Sequence, residues 1–256
     1  MNLLHTNIVG SGENHLVILH GFLGMGDNWK THAKNLDEQG YCVHLVDQRN
    51  HGRSFWSDNF DYASMVEDLR HYLDHHALEQ GILLGHSMGG KTAMAFALQY
   101  PNRVKKLVVA DIAPKYYAPH HQQILGGLAA LDFQVIASRK AADQQLEAFV
   151  PDPGTRQFLL KNLYWVAEGQ LGLRPNIAVL KNAAQAIGAA IDSQKPFLQP
   201  TLFLSGENSN YITPQDRETI LRLFPKAQIQ TLPNAGHWLH AEQPQLFFNT
   251  LTRWMG

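Results

Sequence analysis

Six short runs of this chain are apolar almost without interruption: HLVILH (15–20), CVHLVD (42–47), GILLGH (81–86), LVVADI (107–112), TLFLSG (201–206) and IQTLP (229–233). A strand with one face in water alternates apolar and polar residues, so runs of this kind describe strands buried on both faces. Helical patterns lie between them. DYASMVEDLRHYLDHH sets Met65, Leu69 and Leu73 four residues apart, GGKTAMAFALQY (89–100) stops before Pro101, and QPQLFFNTLTRWM (243–255) comes last. The alternation predicts an α/β fold, a doubly wound and mostly parallel sheet with helices on both faces.

The rhythm lapses after Asp111. From Pro114 to about Pro196 the segments QQILGGLAALDF, KAADQQLEAFV, TRQFLLKNLYWVA and NIAVLKNAAQAIG read as helices, and no strand is expected. The expected organisation is a core of residues 1–113 and 197–256, interrupted by a helical cap over 114–196. An insert after a strand's C-terminal end would cover the crevice where parallel sheets bind ligands.

Bulk properties narrow the function. The 256 residues are 45% hydrophobic, enough for a large core, and the net charge of −1 gives no basic field for a nucleic-acid backbone. A single cysteine, Cys42, permits no internal disulfide and reads as a small core residue. The N-terminal MNLLHTNIVGSG lacks the features of a signal peptide, and no run approaches the ~18 apolar residues of a membrane span. A soluble, cytoplasmic protein is expected, without membrane insertion. The pairs His75-His76 and His120-His121 lack metal-ligand spacing and read as surface residues, so no metal is expected.

Gly85-His86-Ser87-Met88-Gly89 matches G-x-S-x-G directly after an apolar strand and directly before a helix. That context makes Ser87 a nucleophile on a tight strand-to-helix turn, with the flanking glycines letting strand and helix approach. The helix N-terminus offers unpaired N–H groups, and the Met88 N–H is placed for a developing oxyanion. HGFLG (20–24) supplies the second donor, assigned to the Phe22 N–H. His20 is read as holding that loop.

A base is expected late in the chain. His237, in LPNAGHWLHAEQP, follows a strand and precedes the last helix; His240 is its rival and reads as packing or solvent-facing. The acid is less obvious: if the chain is the kind of hydrolase that the G-x-S-x-G turn suggests, the turn in FLSGENSNYITP (203–214) is where an acidic partner is looked for, and it offers Ser209 and Asn210 with no aspartate. Glu207 is one candidate. Asp111 is the stronger one: it ends the strand after the nucleophile's, and parallel strands direct their C-terminal ends to one rim, so it emerges beside Ser87.

With HGFLG, VDQRNHGRS (46–54), GHSMGG, VVADIAP, RQFLLKNL (156–163), FLSGENSNY and PNAGHWLHAEQP in hand, the chain resembles the α/β-hydrolases, more narrowly the YbfF-type esterases, over essentially its whole length. In that group the acid follows the strand after the nucleophile, so the resemblance implies Asp111. It also implies carboxylesterase or thioesterase activity on small-molecule acyl esters or acyl-CoA, with no cofactor. Asp47, Arg49, His51 and Ser54 are expected to brace a turn, with contact between Arg49 or Arg53 and a substrate anion at the rim as the alternative.

His20, Leu23, Phe158, Tyr164 and Trp238 are expected around the substrate, with Phe149, Leu159, Leu163 and Trp165 as further apolar surface from the cap. Two other readings stand beside the esterase. A C–C hydrolase or lyase of the same fold would use Arg156 or Arg174 to hold a substrate carboxylate. A non-catalytic ligand-binding protein would keep the fold alone. The physiological substrate and the oligomeric state are not legible.

Overall fold

The computed structural model describes residues 2–256. Seven strands form one sheet: β1 (Thr6–Val9), β2 (Asn14–Leu19), β3 (Tyr41–Val46), β4 (Gly81–His86), β5 (Val104–Ala110), β8 (Thr201–Gly206) and β9 (Ala227–Leu232). Their order is β1-β3-β2-β4-β5-β8-β9, and every pairing is parallel except β1 with β3. All six predicted strands are present.

The continuous apolar runs serve two cores. Along β5, Leu107 and Val109 join the core under α2 (Tyr62–His75) and α3 (Met88–Gln99), whereas Val108 and Ala110 join the opposite core. That second core packs against α1 (Lys30–Asp37) and α11 (Pro244–Met255) through Leu36, Phe247 and Leu251. Each strand residue points to one face or the other, so strands buried on both faces must be apolar throughout.

Between β5 and β8 the chain forms α4 (Gln122–Ala129), α5 (Arg139–Glu147), α6 (Pro153–Leu160), α7 (Ile177–Asn182) and α8 (Ala184–Gly188). It also forms a hairpin of β6 (Leu163–Ala167) and β7 (Gln170–Leu173), where only helix was expected. The expected helical run TRQFLLKNLYWVA therefore divides. Asp152 caps α6 through the Thr155 N–H, the helix stops at Leu160, and LYWVA turns at Gly169, whose φ of +74° suits glycine. The edge strand β1 was also missed, because TNIV is short and has no apolar run. The chain continues through α9 (Arg217–Leu223) and α10 (Leu239–Glu242).

The inserted segment lies over the loops at the strands' C-terminal ends. Asn162 Nδ2 donates to Leu23 O at 2.7 Å, the Asn176 N–H to Asn50 O at 3.0 Å, and Tyr62 Oη to Ile187 O at 2.8 Å. No helix among the described residues is long and apolar enough to cross a membrane.

Candidate active site

Ser87 occupies the single residue between β4 and α3, with φ +52° and ψ −118°. A non-glycine residue there costs about 1–3 kcal/mol of backbone strain, held by the packing around it. That packing leaves no room for side chains on either flank. A Cβ on Gly85 would meet Gly89 O at 2.2 Å, and one on Gly89 would meet Leu19 O at 2.2 Å. The strained turn pushes the Ser87 hydroxyl out of the sheet rim, where its Oγ lies 3.0 Å from His237 Nε2.

Asp111 follows β5 directly and is fully buried. Its N–H donates to Leu204 O at 2.7 Å with φ +51°, which turns the carboxylate across the end of β8. Three donors then converge on it. The Gly206 N–H reaches Oδ1 at 3.0 Å; Ser209 Oγ and His237 Nδ1 reach Oδ2 at 2.5 and 2.7 Å. A buried carboxylate needs such donors in place of water. Ser209, at the position where an aspartate was looked for, thus serves the aspartate of the neighbouring strand. Its Oγ also accepts the Tyr211 N–H at 3.2 Å. Glu207 is occupied elsewhere, its Oε2 accepting the Asn234 N–H at 2.8 Å.

The His237 loop is fixed from several sides. His86 Nε2–H donates to His237 O at 2.8 Å, and the Glu242 carboxylate accepts the N–H groups of Gly236 and Trp238 at 2.6 and 3.1 Å. The Tyr211 ring stacks on the imidazole, centroids 3.9 Å apart and planes 17° apart. His240 is buried and stacks on Trp29 at 4.1 Å, so it packs rather than facing solvent. Burial, with His32 and His237 nearby, pulls its pKa down to about 3.

Loop 20–24 is braced by histidines. His20 Nε2 accepts the Gln48 N–H at 3.0 Å and Nδ1–H donates to Gly21 O at 2.8 Å, which fixes one tautomer. His51 acts likewise, accepting the Leu23 N–H at 3.1 Å and donating to Arg49 O at 3.0 Å. Burial lowers both rings, to about 4 and about 3, so they stay neutral acceptors. The Leu23 N–H is thereby committed and the Gly24 N–H donates to Gly21 O, while the Phe22 N–H has no acceptor among the described residues. The Met88 N–H heads α3, where an amide lacks an intrahelical partner.

The VDQRNHGRS segment braces the turn, as expected. Asp47 accepts the Gly26 and Arg53 N–H groups at 2.7 and 2.8 Å, and Arg49 forms a buried bidentate pair with Asp68. Arg49 is therefore not free for a substrate anion. Arg156 is likewise spent on Asp143 and the Val150 and Pro151 carbonyls, and the Arg174 guanidinium lies 4.5 Å over the Tyr164 ring. None of these arginines lines a cavity at Ser87.

Two solvent-connected lobes meet at Ser87, with Phe22 and His121 bordering both. The larger contains His237, Trp238, Phe158, Leu159, Leu23 and His20. The smaller contains Lys91, Tyr62, Tyr117 and Tyr211, which were not singled out from sequence. Tyr164 lines neither lobe: the unexpected hairpin carries it away, beneath Arg174, and Trp165 is exposed. His121 is not the surface residue that was expected. It borders both lobes, and burial, with His120 and His237 nearby, lowers its pKa to about 4.

A metal-ligand grouping was also missed. His15, Cys42 and His44 bring ligand atoms within 4.8 Å of one another, remote from Ser87 at the N-terminal end of the sheet. Their polar atoms already pair: His15 Nδ1 with His44 Nε2 at 2.9 Å, and His44 Nδ1 with Tyr72 Oη at 2.7 Å.

Residues 14–244 match the family model described as the alpha/beta hydrolase fold. Mouse sn-1-specific diacylglycerol lipase ABHD11 is 41% identical over 94% of this chain and 80% of its own length. Esterase YbfF of Escherichia coli is 32% identical over 94% of this chain and 92% of its own. A solved marine microorganism esterase is 40% identical and superposes with a TM-score of 0.96 over 99% of this chain and 100% of its own. With this likeness along nearly its whole length, the chain belongs to the α/β-hydrolase family.

Proposed function

We propose that the protein is a serine hydrolase that cleaves carboxylic esters or thioesters through an acyl-enzyme on Ser87. One observation carries the reading: His237 stands between Ser87 Oγ and the buried Asp111 carboxylate, at 3.0 and 2.7 Å. The relatives named as lipases and esterases support the same chemistry.

Each residue has a role. His237 Nε2 takes the hydroxyl proton as Ser87 Oγ attacks the acyl carbonyl. Asp111, accepting from Nδ1–H, holds the tautomer that leaves Nε2 free and stabilises the imidazolium. The Phe22 and Met88 N–H groups receive the oxyanion. His237 then protonates the leaving alcohol or thiol, and water activated by the same ring releases the acid.

The proton delivery orients the substrate. The leaving group must lie next to His237, and so in the lobe with Trp238 and Phe158, whose rings are 5.5 Å apart. The acyl group then occupies the other lobe, beside Lys91. Residues 114–196 act as the cap that walls both lobes. The commitment of Arg156 and Arg174 to other partners weighs against the C–C hydrolase or lyase.

Turnover of p-nitrophenyl acetate and short acyl-CoA thioesters tests the proposal. Ser87→Ala is expected to lower kcat by roughly 10⁴- to 10⁶-fold. Full turnover by Ser87→Ala would refute it.

A further inference from the structure

Lys91 is an enclosed ammonium with no anion beside it. It lies on α3, four residues after Ser87, and is 1% exposed. Nζ donates to Gly188 O at 3.1 Å and Ala189 O at 2.5 Å, at the end of α8. It stands 4.7 Å from the Tyr117 ring centroid and 5.8 Å from that of Tyr62. Two carbonyls account for two of its three protons, and no carboxylate among the described residues forms an ion pair with it. Burial lowers its pKa to about 7, as expected for a desolvated cation lacking a counter-ion.

The same side chain lines the lobe assigned above to the acyl group. Four residues of helix place the Lys91 backbone roughly 6 Å below that of Ser87, and helical side chains lean back toward the N-terminus, hence toward the acyl carbonyl. The wall between is apolar or aromatic, from Phe22, Met88, Ile112 and Ile187. An acyl chain of a few methylenes would follow that wall and end near the third Nζ proton.

We propose that Lys91 forms a carboxylate-binding end to the acyl lobe, so that preferred acyl donors are short dicarboxylic half-esters or half-thioesters. The inference rests on the serine-hydrolase reading. The reaction itself is unchanged: the Ser87 Oγ–acyl bond forms, the acyl–oxygen or acyl–sulfur bond breaks, and the Ser87 proton passes through His237 to the leaving group. Water then restores Ser87 and releases a dicarboxylic acid. The distal carboxylate does not react; it supplies the counter-ion that the buried ammonium lacks.

The test compares matched N-acetylcysteamine thioesters, butyryl with succinyl and valeryl with glutaryl, on the full chain, with free thiol as the readout. The wild type is expected to favour the anionic member of at least one pair by roughly 10- to 100-fold in kcat/KM. Lys91→Gln keeps donors for the Gly188 and Ala189 carbonyls but removes the charge, and its anionic-to-neutral ratio should fall by a similar factor. Lys91→Arg, which keeps a cation, should retain a preference for the anion.

A wild-type preference for the neutral thioesters overturns the carboxylate site and leaves the hydrolase reading standing. So does an unchanged ratio in Lys91→Gln, which would make Lys91 only a clasp for α8. If no ester or thioester is turned over, the hydrolase reading falls and this inference falls with it.

Discussion

Replacing Asp111 by asparagine tests the proposed triad, because the substituted amide can be placed from the surrounding donors. The Gly206 N–H points at Oδ1 from 3.0 Å and cannot rotate, so the amide oxygen must take that position. The NH₂ then falls at Oδ2, facing Ser209 Oγ and His237 Nδ1. The Ser209 hydroxyl can turn to accept, but the imidazole can accept only by moving its proton to Nε2. That tautomer presents an N–H to Ser87 and cannot take its proton. Nearly all of the base catalysis is lost, roughly 10⁴-fold in kcat or about 5 kcal/mol, while the fold persists. The assay is kcat for p-nitrophenyl acetate, with circular dichroism as a check on folding. Glu207→Gln, which touches only the Asn234 N–H, should retain most activity. A folded Asp111→Asn within tenfold of wild type, or a larger loss from Glu207→Gln, would refute the reasoning.

Other outcomes follow from the same contacts. Ser209→Ala removes one of three donors to Asp111, and kcat should fall about 5- to 50-fold with KM little changed, as steady-state kinetics would show. His20, His51 and His240 have folded pKa values of about 4, 3 and 3, below the usual 6.5, so the unfolded chain protonates first as pH falls. Their contribution to stability is complete above about pH 6.5 and declines below it, each by up to about 1.4 kcal/mol per pH unit until its folded pKa is reached; denaturant melts from pH 7 to 4.5 measure this. Asp68→Asn leaves the Arg49 guanidinium buried without its charge partner, and chemical denaturation should register a loss of about 3–5 kcal/mol.

The main architecture was legible because both-face burial writes itself as continuous apolar runs. The turn that carries Ser87 was legible because its strained backbone demands glycines at fixed spacing, and the position of Asp111 because strand ends share a rim. Less could be read where the signal is three-dimensional. The hairpin Leu163–Leu173 hid behind a helical run whose end depends on local turn geometry. Tyr164 went astray with it. His121 looks like half of a surface pair until the insert folds over Phe22, the two rings 5.0 Å apart. Lys91 reads as an ordinary helix lysine, and only the carbonyls of Gly188 and Ala189, nearly a hundred residues away, reveal its enclosure.

The central claim is that a basic His237, aligned by a carboxylate from the next strand, activates one serine. Incubation with a fluorophosphonate probe, followed by intact-mass measurement and peptide mapping, examines it directly. A single adduct on the Ser87 peptide, formed far more slowly in Asp111→Asn, is the predicted result. No adduct, or one on another residue, would contradict it.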